Sequence, residues 1–176
     1  MTRFDQLVDL VETYQNLAAE NYARVRQLAE AVRSGLCDYI DAKDGICVRL
    51  VPPIGDFEPK DYGDNAFSVP PRGFRPLGPI AFGLAVRVTR GTDWIRLTMQ
   101  CQKIGDTLVL DIQGGQSFTL TLPLNEDDSR RLFDYVYKHV LNWFQSQMDR
   151  YETGEYGTRE IGFDFSHQTG TETSTS

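Results

Sequence analysis

"IAFGLAVRVTRGTDWIRLTMQCQ", Ile80 to Gln102, decides the fold. Apolar side chains fall on every second residue: Ile80, Phe82, Leu84, Val86 and Val88, then Ile95, Leu97, Met99 and Cys101. Between them stands "RGTD", a short glycine-bearing turn of the hairpin type. A period of two puts one set of side chains on one face, which describes a half-buried antiparallel strand pair. Working outward, "TLVLDIQ" (107–113) and "SFTLTL" (117–122) repeat the alternation across "KIGD" and "GGQ", and "ICVRLV" (46–51) precedes it. The predicted sheet is an antiparallel meander of about five strands. Its apolar face is completed by Ile46, Val48, Leu50, Leu108, Leu110, Ile112, Phe118, Leu120 and Leu122, and it needs a cover.

Two helices supply the cover. Residues 3–34 place Phe4, Leu7, Val11, Tyr14, Ala18, Tyr22, Val25, Ala29 and Val32 at steps of three and four, so one stripe stays on one face. Thr2 with Asp5 has the spacing of a capping box, and Gly35 is the expected stop. Such a helix is ~48 Å long, more than a small domain covers easily. Part of its stripe therefore either lies across the sheet or overhangs and meets another helix. Residues 126–151 form the second helix, capped by Asn125 and opened by "EDD" at the positive end of the helix dipole. The fold expected is α+β, with both helices on one face of the sheet, as a single domain over 1–165. "EIGFDF" (160–165) is either a short strand or an arm, and 166–176 is a polar, low-complexity tail expected to be disordered.

Between two strands runs "VPPIGDFEPKDYGDNAFSVPPRGFRPLGP" (51–79), with seven of the chain's eight prolines. Phe57, Tyr62, Phe67 and Phe74 stand among them, and flexible linkers and disordered segments are poor in aromatics. Proline lowers the entropy lost on ordering. The segment is expected to be an ordered arm over a sheet edge or over the small residues Ala81, Gly83 and Ala85.

The formal net charge of −7 argues against general nucleic-acid binding. Only residues 45–125, at +1, escape the acidic bias; 1–44 carry −3 and 126–176 carry −5. Three widely spaced cysteines, Cys37, Cys47 and Cys101, read as free thiols of a cytoplasmic protein. No run is apolar enough for a membrane helix.

Catalytic groups are few. His139 lies within the second helix and His167 in the polar tail, and neither has a metal-ligand neighbour at the right spacing. Asp56, Glu58, Asp61 and Asp64 crowd the arm without an EF-hand pattern. No catalytic residue, metal ligand or cofactor motif is assigned. The candidate binding residues are Arg49, Arg87, Arg96, Gln100 and Gln113 on the polar sheet face, with Phe57, Tyr62 and Phe74 from the arm. A non-enzymatic protein-interaction domain is the expected function, of the adaptor, chaperone-like or immunity type. Its partner is another protein or a second copy met through the N-terminal helix. The alternative is a small-ligand or anion-binding domain using the arginines of the sheet face.

Overall fold

The computed structural model describes residues 1–42, 45–155 and 164–167. Helix α1 (Arg3–Ile40) is followed by strands β1 (Val48–Val51), β2 (Ile80–Arg87), β3 (Asp93–Ile104), β4 (Thr107–Ile112) and β5 (Ser117–Leu120), then α2 (Glu126–Thr153) and β6 (Asp164–His167). The strands form one antiparallel sheet in the order β1-β2-β3-β4-β5, with β6 added to β3. This is the α+β meander that the alternation predicts. Leu84 pairs with Leu97, and Met99 with Ile112, so the apolar sets of neighbouring strands meet on one face. Val25, Leu28, Val32 and Leu36 of α1 and Leu132 and Val136 of α2 close over that face in one core with Phe82, Leu97, Leu110 and Leu120. Each such side chain removed from water contributes roughly 1.5–3 kcal/mol.

Both helix starts are capped. The Asp5 amide donates to Thr2 Oγ1 at 3.1 Å while the Thr2 amide donates to Asp5 Oδ2 at 2.8 Å, which satisfies two amides that the first turn leaves unpaired. Asn125 Oδ1 accepts from the Asp128 amide at 2.8 Å. Gly154, in the left-handed region at φ 76°, closes α2.

Four expectations need correction. Gly35 does not end α1, which continues to Ile40. The glycine is there for packing: a Cβ on it would lie 2.4 Å from Cζ of Phe133, so its absence lets the α2 ring sit against the α1 backbone. Cys37 and Cys47 are not free thiols but a disulfide, with Cα atoms 5.5 Å apart. Asp41, left-handed at φ 60°, caps α1, and the chain returns so that residue 47 lies against residue 37. Only Cys101 is a free cysteine, and it is buried. The free-thiol argument for a reducing compartment therefore loses two of its three residues. Ile46, placed on the apolar face, is exposed, because β1 begins only at Val48. Finally, Ser166 and His167 belong to β6 and not to a disordered tail. β4 pairs with β3 only from Met99 onward, which leaves Asp93–Arg96 with a free edge, and β6 occupies it. Residues 160–163 and 168–176 lie outside the described residues.

No helix is long and apolar enough to cross a membrane among the described residues.

Candidate functional site

The arm leaves β1 at Val51 and turns across the polar face of β2 and β3. A second, smaller core forms there from Val51, Phe57, Ala85 and Trp94, with Tyr62 packed against it. Arg96 is the centre of this layer. It is only 4% exposed, its Nη1 donates to the Pro52 carbonyl at 3.0 Å, and its guanidinium lies 4.8 Å from the Phe57 ring centroid. Thr98 donates to the Pro53 carbonyl at 3.1 Å, and Ser166 of β6 donates to the Phe57 carbonyl at 2.9 Å. The small residues have a visible purpose: a Cβ on Gly83 would meet the carbonyl oxygens of Pro52 and Val51 at 2.7 and 2.8 Å.

The candidate residues therefore part company. Arg96 and Phe57 hold the arm down. Arg49 and Arg96 are both register partners of Ala85, on either side of it. Arg49 nevertheless opens onto a different space, a concavity of about 340 Å³ that it lines with Arg26, Arg33, Lys60, Glu30 and Asp61. Three of these cations are engaged with carboxylates: Arg26 with Asp64 at 2.5 Å, Arg33 with Glu30 at 2.8 Å and Lys60 with Glu58 at 3.4 Å. Arg87 lies opposite Trp94, at the rim of an apolar groove of about 230 Å³ between Leu36, Ile40, Val136, Val140 and Phe144. Gln100 and Gln113 are exposed. Tyr62 is half-buried; its hydroxyl accepts from the Glu58 amide at 3.0 Å, with Lys60 over its ring. The arm covers the centre of the polar face, and the three arginines face three different surroundings.

The arm then rounds the sheet edge to α1. Phe67 enters the main core and bridges to Phe82. The Tyr22 hydroxyl donates to Asp64, which Arg26 also holds. Burial, followed by this bond to a carboxylate, pushes the Tyr22 hydroxyl up to about 12. Farther on, the Tyr14 hydroxyl donates to the Arg75 carbonyl at 3.1 Å and Phe74 meets the Tyr14 ring edge-on. Asn21 Nδ2 donates to the carbonyls of Pro76 and Gly78 at 3.1 and 3.2 Å, while its buried Oδ1 has no hydrogen-bond partner among the described residues.

Sequence reasoning listed the stripe on α1 without saying where its cover ends. Burial begins at Ala18. Before it, Phe4 is 70% exposed, Leu7 57%, Leu10 70% and Leu17 50%. The acids Asp5, Asp9 and Glu12 recur at steps of four and three on another side of the helix, so the projecting segment is amphipathic. At the end of the arm Phe74 and Leu77, 57% and 44% exposed, extend the apolar surface at the base of the projection. No three His, Cys, Asp or Glu side chains gather as a metal site among the described residues. No family model, curated protein or solved structure matches this chain.

Proposed function

We propose that this chain is a protein-interaction domain that engages its partner through the projecting N-terminal part of α1. One observation carries the reading: Phe4, Leu7, Leu10 and Leu17 stand in water along one side of a capped helix. Each fully buried side chain of this kind is worth roughly 1.5–3 kcal/mol, and a helix that forgoes this four times has a surface suited to burial elsewhere. A membrane surface fits less well. The projecting segment carries Asp5, Asp9 and Glu12 against one cation, Arg3, and anionic lipid repels such a helix.

The test is photo-crosslinking in cells of the native host. A photo-reactive residue in place of Leu10 is expected to give protein adducts of discrete mass, and one in place of Glu12 few. Equal yields from the two positions, or none from Leu10, would overturn the reading.

A second reading, binding of a small anion, is favoured by one observation. Among the described residues the Arg49 side chain makes no hydrogen bond or ion pair, and it shares its concavity with Arg26, Arg33 and Lys60. Exposed ion pairs contribute only about 0–1 kcal/mol, so the other three cations can exchange partners. Phosphate or sulfate is expected to raise the melting temperature of wild type more than that of Arg49→Gln. An equal rise in both removes this reading.

A further inference from the structure

The partner that the α1 surface fits best is a second copy of this chain, and we infer that two projecting helices pair antiparallel about a two-fold axis between Leu10 and Val11. This rests on the interaction reading above and commits it to one occupant. The argument begins with the spacing. An axis at that point sets Phe4 opposite the partner's Leu17 and Leu7 opposite the partner's Tyr14, with Leu10 against the partner's Val11. Every exposed apolar position of the projection then meets another apolar position. A closed symmetric dimer requires this self-complementarity, because residue i must contact j and j must contact i.

Charge fits the same arrangement. At about 100° per residue Phe4, Leu7, Leu10, Val11, Tyr14 and Leu17 share one side of the helix, and none of them is charged. Asp5, Asp9 and Glu12 fall outside the contact, so two identical acidic helices approach without setting like charges face to face. The cation at the tip, Arg3, arrives at the base of the partner's projection. There a concavity of about 200 Å³ is lined by Leu17, Glu20, Asn21, Arg24, Leu77 and Lys103. It offers Arg3 the Glu20 carboxylate.

Area completes the case. Phe4, Leu7, Leu10, Leu17, Phe74 and Leu77 together leave roughly 600 Å² in water, the upper end for a monomer's largest apolar patch. Two copies would bury about 1,200 Å², the lower bound of a specific stable interface. An interface at this lower bound is small, so the dimer is expected to be in reversible equilibrium with the monomer.

Sedimentation velocity over a concentration series is the first measurement. Wild type should pass from monomer to dimer, and Leu7→Glu/Leu10→Glu should remain monomeric with unchanged circular dichroism and melting, since both side chains are exposed in the single chain. Ile54→Glu, an exposed arm residue away from this surface, should dimerise like wild type. Single cysteine variants then fix the direction. Leu10→Cys, near the axis, should crosslink to itself on oxidation, and Phe4→Cys, at the tip, should not. A wild type that stays monomeric at several hundred micromolar overturns the second copy, as does a dimer that survives the double glutamate variant. Self-crosslinking through Phe4→Cys overturns the antiparallel register. These outcomes leave the broader reading to the adduct masses in cells, where a partner of different mass would still support it.

Discussion

Gly83 lies beneath the Pro52 carbonyl so closely that a Cβ on the glycine would sit 2.7 Å from that oxygen, with Val51 O and Arg96 Cδ at 2.8 Å. Two of these three neighbours are backbone atoms, which cannot turn aside as the end of a side chain can. The contact joins the sheet to the arm at the point where Arg96 also donates to Pro52.

Gly83→Ala is accordingly expected to destabilise the protein by ~1–3 kcal/mol or more, as overpacking does. Gly78→Ala is the control, since nothing lies within 4 Å of a Cβ there and its φ is not in the left-handed region. Its change should stay within ~0.5 kcal/mol. Urea denaturation of both variants measures the difference, and equal midpoints would mean that the arm does not lie on β2.

The sheet was legible because its information is local. A period of two can be read from a few consecutive residues, and Leu84, Leu97 and Leu110 fall on the face it assigns. The layer over Arg96 was not, because it depends on Pro52 and Phe57, some forty residues away, and an arginine between Ile95 and Leu97 reads as solvent-facing whether or not something covers it. Gly35 misleads for a related reason. Glycine in a helical pattern marks either a stop or a close approach, and only the position of Phe133 distinguishes them. The ten-residue separation of Cys37 and Cys47 matches no motif; what pairs them is the turn after Ile40. The stripe from Phe4 to Leu36 was plain in the sequence, but where its cover ends depends on the reach of the sheet and the arm, which the helical period does not encode.

Tyr22 gives the protein an alkaline weakness. Its hydroxyl is raised to about 12, first by burial and then by the bond to Asp64. A group whose folded value lies above its unfolded value of about 10 stabilises fully below that lower value, and its contribution is lost as the pH rises toward the folded one. Stability of the wild type should therefore fall between pH ~10 and ~12 by more than that of Tyr22→Phe, which has no proton to lose there. Denaturation midpoints at pH 8, 10 and 11 measure this, and parallel profiles for the two proteins would contradict the assignment.

The Cys37–Cys47 bond ties the end of α1 to the start of β1 across ten residues of sequence. Restricting the unfolded chain in this way is expected to add roughly 2–4 kcal/mol, toward the lower end for so short a loop. Cys37→Ser/Cys47→Ser should melt correspondingly lower. Thiol titration of the denatured, unreduced protein should find one free cysteine of the three. Three titrating thiols in freshly prepared protein would show that the bond does not form.

The arm also changes what the middle of the sheet can do with time. At Ala85 and Arg96 the strands β2 and β3 are covered on both faces, by the helices beneath and by Val51, Phe57 and Trp94 above. No single layer can lift away and leave their amides open, so hydrogen exchange there has to wait for unfolding of the whole. The first turns of α1 carry no such cover, and their amides trade protons through local fraying. The sheet centre and the start of α1 thus keep very different time, and protection of residues 4–17 on association would be read against a baseline with little cover.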